Sequence, residues 1–216
     1  MEKEFWHQRW RQGQIGFHSD QVHWALTRHW ASLAHAQGEP VLVPLSGKSL
    51  DMHWLRDHGH PVHGIELDPI AVRDFFAEWG RQPQALDTVT TELAAYRADD
   101  VVLWQGDFFD YRPAQTFTAF YDRAALIALP PEMRAAYIGH LRRCLKAGAG
   151  GLLVTLEYDQ KQKEGPPFSV LPEEASGLQG FISEVLERRD VLAESAKFKN
   201  RGIRSLHETV YRLRAV

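Results

Sequence analysis

From Val41 onward, short apolar runs alternate with amphipathic stripes, and this alternation constrains the fold more than any other feature of the chain. "EPVLVPL" reads as a strand, "KSLDMHWLRDHG" as a helix ending at Gly59, and "PVHGIEL" as a second strand closing at Glu66. Asp68-Pro69 then reads as a helix cap and first helical position. Val72, Phe75, Phe76 and Trp79 form one stripe before a stop at Gly80. "VVLWQGD" and "FTAFYDR" follow as strands, "PPEMRAAYIGHLRRCLKAG" as a helix with Met133, Tyr137, Leu141 and Leu145 on one face, and "GLLVTLEYD" as a fifth strand. Strands that alternate with helices predict an α/β fold whose parallel sheet is covered on both faces.

The flanks read differently. Val22, Leu26, Trp30 and Leu33 predict a helix from Ser19 or Asp20 to Gly38. Residues 81–100 are polar, with "TTELAAYRA" (90–98) suited to a helix. After the Pro-rich loop "KEGPPFSVLPEE", a helix is expected near Gly180–Arg188, and then a terminal antiparallel hairpin of Asp190–Phe198 and Ser205–Arg214 joined by "KNRG". There is no internal repeat. One domain over 1–216 is expected, with an aromatic N-terminal lid and helix in 1–38, a nucleoside-binding core in 39–160 and a substrate-side loop, helix and hairpin in 161–216.

A net charge of -3 supplies no basic field for a polyanion, so no nucleic-acid partner is expected. The single cysteine, Cys144, cannot form an internal disulfide and reads as helix packing. "MEKEFWHQRW" has no signal-peptide core, and no stretch approaches the roughly twenty apolar residues of a membrane span. A cytoplasmic chain, monomeric by default and without a membrane partner, is the expectation.

Gly47-Lys48-Ser49 ends the first strand like a phosphate loop, but the first glycine such a loop needs falls at Leu42, inside the apolar run. In an open α/β sheet the ligand lies beyond the carboxyl ends of the strands. Leu45-Ser46-Gly47, Glu66, Gly106-Asp107-Phe108 and Asp122-Arg123 should therefore converge. Glu66 follows Gly47 by 19 residues, a spacing that suits a carboxylate accepting hydrogen bonds from ribose hydroxyls. "PLSGKS" has one glycine where a pyrophosphate turn needs three. A nucleoside ligand without phosphate asks less of that turn. The sulfonium of S-adenosylmethionine is moreover a cation that aromatic faces can hold, and four of the seven tryptophans (Trp6, Trp10, Trp24, Trp30) lie in the first thirty residues.

Together "FWHQRWRQGQIGFH", "VPLSGKSLDMHWLRDHGHPVHGIELD", "YDRAAL" and "GPPF" resemble the thiopurine S-methyltransferases, above all their bacterial members, over essentially the whole chain. The resemblance implies a Rossmann-like class I methyltransferase with a mostly parallel seven-stranded sheet and a C-terminal antiparallel hairpin. The implied cofactor is S-adenosyl-L-methionine, and the implied activity is methyl transfer to the sulfur of thiopurines such as 6-mercaptopurine. A selenium or tellurium acceptor is a possible natural alternative to the aromatic thiol. Carried over by position, Trp6, Trp10, Leu45, Gly47, Glu66, Asp107, Phe108 and Arg123 fall on the cofactor side, with Arg123 also stabilising the substrate. Phe17, Pro167, Lys197 and Arg201 fall on the substrate side. The family's second substrate arginine aligns with Lys197, which lacks the guanidinium fork, and Arg201 is a candidate substitute.

Asp122 is a candidate base or adenosyl contact, although a strand-end structural role suits it better. His53, His58, His60 and His63 cross from helix to strand without metal-ligand spacing, so surface positions and no metal are expected. The alternatives are an NAD-dependent oxidoreductase, which would need the missing glycines, and a non-catalytic nucleoside-binding protein on the same fold.

Overall fold

Parallel pairing organises the first half of the chain. The computed structural model describes residues 3–87 and 92–216, and the chain divides into two units, Met1–Tyr121 and Asp122–Val216.

In the first unit α1 (Lys3–Arg11) and α2 (Trp24–His29) precede β1 (Val41–Val43), α3 (Asp51–Asp57), β2 (Val62–Glu66), α4 (Pro69–Trp79), β3 (Gln84–Leu86), β4 (Ala94–Ala98), β5 (Val101–Gln105) and β6 (Phe117–Arg123), which runs into the unit boundary. Their order in the sheet is β3-β4-β5-β2-β1-β6. β1 pairs in parallel with β2 and β6, and β2 pairs in parallel with β5. The first strand is buried throughout, as a parallel strand covered on both faces must be.

Helix α4 keeps every signal read from its sequence. Asp68 Oδ1 accepts the Ile70 N–H at 2.8 Å, Pro69 opens the first turn, and Gly80 closes the helix at φ 69. Its stripe buries Val72, Phe75 and Phe76. On β2, Gly64 lets α3 and β5 approach, since a Cβ there would lie 2.5 Å from Leu103 Cδ2 and 2.8 Å from Met52 Sδ and Ser46 Oγ.

In the second unit α5 (Pro131–Cys144) leads into β7 (Leu145–Glu157), α6 (Pro172–Ser176), β8 (Phe181–Asp190), α7 (Ala196–Lys199) and β9 (His207–Ala215). The three strands lie in the order β7-β9-β8, with both pairings antiparallel. Tyr137, Leu141 and Leu145 of the expected stripe are buried, as is Cys144.

Several expectations are corrected. The described strands number nine rather than seven, and the sheet is mixed. Ala94–Ala98, read as part of a helix over 90–98, is β4, held antiparallel between β3 and β5; Thr90 and Thr91 lie outside the described residues. The expected helix near Gly180–Arg188 is β8, and the hairpin is therefore β8 with β9 rather than Asp190–Phe198 with Ser205–Arg214. Residues 191–206 instead carry α7 and a small core of Tyr158, Val191, Phe198, Ile203 and Leu206. The helix predicted from Ser19 to Gly38 is shorter. The Ser19 hydroxyl accepts from Gln21 N in a local turn, while the Asp51 carboxylate takes the His23 N–H at 2.7 Å and fixes the start of α2. A 3-10 turn, Trp30–Leu33, then ends the segment at Ala34, φ 56.

Of the four histidines expected at the surface, His58 is exposed as expected, whereas His60 is buried and His53 and His63 are partly buried. His60 is 5% exposed and accepts the Trp30 indole N–H at 3.1 Å. His63 accepts that of Trp104 at 3.2 Å, and burial pulls it down to about 4. His53 stacks on Phe75, and His58 on Trp54. Among the described residues no helix is long and apolar enough to cross a membrane.

Candidate active site

The chain leaves β1 through a turn that ordinary residues resist. Leu45 has φ 48 and Gly47 φ 55. A leucine in the left-handed region costs about 1–2 kcal/mol, so neighbouring bonds must impose the conformation. Ser46 N–H donates to Ile65 O at 2.9 Å, and Gly47 N–H donates to Glu66 Oε2 at 2.8 Å. The other oxygen, Glu66 Oε1, accepts the Asp68 N–H at 2.7 Å. Glu66 is 6% exposed, and burial pushes its carboxyl up to about 7 despite the N–H groups of Asp68, Gly47 and Leu67.

The end of β5 is tied to the same place by Gly106 N–H, which donates to Glu66 O at 2.9 Å. Asp107 Oδ1 caps the short turn Phe108–Asp110 through Phe109 N–H at 2.9 Å, and Phe108 is buried. Helix α1 then brings the aromatic segment to these strand ends. A Cβ on Gly47 would sit 3.6 Å from Trp10 Cζ2. The Phe17 ring meets the edges of both Trp6 and Trp10, each at 5.6 Å between centroids. Within the first unit the structure thus brings Trp6, Trp10, Phe17, Leu45, Gly47, Glu66, Asp107 and Phe108 to the ends of three adjacent strands.

The phosphate-loop likeness dissolves in the same geometry. Lys48 is turned to Glu78 of α4, with Nζ and Oε1 2.5 Å apart. The Gly47 N–H is already taken by Glu66. Asp51, a buried carboxylate, stands in the first turn of α3 and accepts from His23 N and from Tyr121 OH at 3.0 Å. A second phosphate-repelling charge at that helix start leaves a site suited to a nucleoside without phosphate.

In the second unit Asp122 is 1% exposed, and both its oxygens are engaged, Oδ1 by Leu126 N–H at 3.1 Å and Oδ2 by Tyr137 OH at 2.7 Å. Burial lifts it to about 6. These are the bonds of a strand-end anchor. Arg123 is half-buried, and its guanidinium has no hydrogen bond or ion pair among the described residues. Pro167 O accepts from Tyr158 OH at 2.5 Å. Lys163, absent from the sequence reading, is 6% exposed. Its ammonium donates to Glu164 O at 2.7 Å and Pro166 O at 3.0 Å, and stands 5.7 Å from the Phe198 ring. Burial first, then the charges of Arg201 and Lys197, pull it down to about 8. Lys163 therefore joins the loop of Pro167 to the segment of Lys197 and Arg201. No spacing signal marked it, because a lysine in a Pro-rich loop reads as solvated surface.

Two further residues were legible but unread. Lys3 Nζ lies 2.8 Å from Asp107 Oδ2, and His7 Nδ1 lies 2.6 Å from Asp68 Oδ2. With Trp10 they occupy one helical stripe, and that spacing was the available signal.

The fold is that of the S-adenosylmethionine-dependent methyltransferases. The 1,6-didemethyltoxoflavin-N1-methyltransferase of Burkholderia thailandensis superposes with a TM-score of 0.64 at 17% identity, over 99% of this chain and 87% of that one. A methyltransferase of Thiobacillus denitrificans gives 0.64 at 18% identity, over 100% and 99%. The chain belongs to the thiopurine S-methyltransferase family, whose model matches residues 1–216. It is 51% identical to the thiopurine S-methyltransferase of Pseudomonas fluorescens strain Pf0-1, with 100% of both chains covered.

Proposed function

We propose that this protein is an S-adenosyl-L-methionine-dependent thiopurine S-methyltransferase, with acceptors such as 6-mercaptopurine. The observation that carries the reading is the match to that family across the whole chain, at about half identity to a curated member. Because the match runs through both units, it also supports reading 1–216 as one methyltransferase domain.

The residues present fit the cofactor. A carboxylate offers about four acceptor positions. Glu66 spends two on Gly47 and Asp68 and also faces the Leu67 N–H, which leaves acceptor capacity for a ribose hydroxyl. Trp6, Trp10 and Phe17 offer aromatic faces to a sulfonium and exclude water. Leu45, Gly47, Asp107 and Phe108 complete the strand-end surface. When bound, S-adenosyl-L-methionine supplies an electrophilic methyl group on a positively charged sulfur.

The remaining chemistry belongs to the chain. Arg123, unpaired among the described residues, stabilises the anionic or thione form of a heteroaryl thiol. Such a thiol ionises more easily than an ordinary one at about pKa 8.5, so no strong base is required. Asp122, with both oxygens engaged, holds the strand end rather than moving a proton. Pro167, Lys197 and Arg201 form the substrate side, and a selenium or tellurium nucleophile would meet the same cations. A nicotinamide oxidoreductase is disfavoured, since the one glycine N–H in the turn is committed to Glu66.

Calorimetry with S-adenosyl-L-methionine and NAD as parallel titrants tests the cofactor assignment. The expected result is binding of the former alone, lost in Glu66→Ala. Binding that ignores this substitution overturns the assignment of Glu66.

A further inference from the structure

Lys3, His7 and Trp10 stand at i, i+4 and i+7 on α1, one stripe of the helix. Each touches the end of a different strand: Lys3 meets Asp107 after β5, His7 meets Asp68 after β2, and Trp10 meets Gly47 after β1. Those strands lie side by side in the same order, β5-β2-β1. Seven residues of helix advance about 10.5 Å, and two strand spacings cover about 9.6 Å. The stripe and the sheet share a pitch, so one straight helix can seat a side chain on each of three strand ends.

These contacts close a circuit. His7 Nδ1 lies 2.6 Å from Asp68 Oδ2, and because a carboxylate can only accept, that nitrogen carries the proton. Asp68 N–H donates to Glu66 Oε1, Glu66 Oε2 accepts from Gly47 N–H, and Gly47 packs against Trp10, one turn along α1 from His7. The three contacts of α1 differ in weight. Lys3 is 59% exposed and Asp107 19%, so that ion pair is a screened surface contact. Asp68 is 2% exposed and has Oδ1 committed to Ile70 N–H. Losing His7 would leave a buried carboxylate oxygen without its donor, beside Glu66.

We propose that His7 is a positioning residue for the cofactor: through Asp68 it fixes the Glu66 carboxylate and the Trp10 ring at one spacing across the ends of β1 and β2. This rests on the cofactor assignment above. His7 need not touch the ligand, because both groups that would do so are held through the bonds it completes.

The test is calorimetric binding of S-adenosylhomocysteine to the full chain and to His7→Ala, His7→Gln and Lys3→Ala, with melting temperatures measured without ligand. His7→Ala should weaken binding about tenfold, as expected for loss of one charge-assisted hydrogen bond. His7→Gln, whose amide can donate to Asp68, should recover most of that loss, while Lys3→Ala should change binding by about twofold or less. Should His7→Ala fail to fold, Asp68→Asn serves instead, since asparagine keeps the helix cap and loses the charged acceptor; it should weaken binding to a similar degree. Unchanged binding in a folded His7→Ala, or in Asp68→Asn, overturns the proposal, as does a loss of melting temperature with no change in affinity. No binding by the unmodified chain would instead refute the cofactor assignment itself.

Discussion

Replacing Glu66 by glutamine should make folding less sensitive to pH while abolishing cofactor affinity. The carboxyl ionises near 4.5 in an unfolded chain and at about 7 in the fold, with burial the leading cause. Its folded value lies above its unfolded one, so the native state holds the proton more tightly. Stability is therefore fully present below about 4.5 and is lost as pH rises through 7. At about 1.4 kcal/mol per pH unit, that interval amounts to about 3 kcal/mol. Glutamine cannot ionise, so Glu66→Gln removes the slope. It adds a fixed penalty of about 1–3 kcal/mol, because its NH2 must face one of the two N–H groups that Glu66 accepts. The sign of the net effect at one pH is therefore open to the balance of those terms, but the change of the difference with pH is not. Urea denaturation of both proteins at pH 5 and pH 8, without cofactor, should show the wild type losing ground to the variant by a few kcal/mol between the two. A difference that stays constant, or moves the other way, refutes the claim that burial holds the Glu66 carboxyl above the ordinary carboxylate range.

His63 should act in the opposite direction. Burial takes it from 6.5 to about 4, so the stability its neutral form contributes is present above 6.5 and falls by about 3 kcal/mol as pH drops to 4; His63→Gln should flatten that acid limb in denaturation curves. Gly64→Ala should destabilise by about 1–3 kcal/mol, measured by thermal melting, because the new Cβ would meet Leu103 Cδ2 at 2.5 Å and Met52 Sδ at 2.8 Å; an unchanged melting temperature would mean that α3 yields freely. Arg123→Ala should lower methyl-transfer turnover by about a hundredfold, in line with loss of one preorganised charge donor; wild-type turnover in steady-state assays would remove Arg123 from the reaction.

The parts of this fold that were legible in the sequence are those whose signals are local. Asp68-Pro69 and Gly80 bracket α4 because cap, first turn and stop are each set by neighbours in the chain. Glu66 was legible for a related reason: a strand, a turn and a helix of ordinary length place it at the next strand end, beside Gly47. What stayed hidden depends on distant partners. "FISEVLERRD" is rich in helix-forming Glu, Leu and Arg, yet it pairs along its whole length with β9, and an irregularity between Val185 and Glu187 breaks the alternation that would have betrayed a strand. "AAYRA" is a strand for the same reason, lying between β3 and β5. His60 reads as a solvated side chain until Trp30, thirty residues away, supplies its indole N–H. Lys163 is the same case in the Pro-rich loop, since the carbonyls of Glu164 and Pro166 that replace its water are visible only once the loop is folded.

The central claim is that this chain moves a methyl group from S-adenosyl-L-methionine to a heteroaryl sulfur. Incubating the purified protein with labelled S-adenosyl-L-methionine and 6-mercaptopurine tests it most directly. Label on the S-methylated purine, formed by the wild type and lost in Glu66→Ala, is the predicted result. Cofactor binding with no labelled purine would contradict the acceptor assignment, and product formation unaffected by Glu66→Ala would contradict the site.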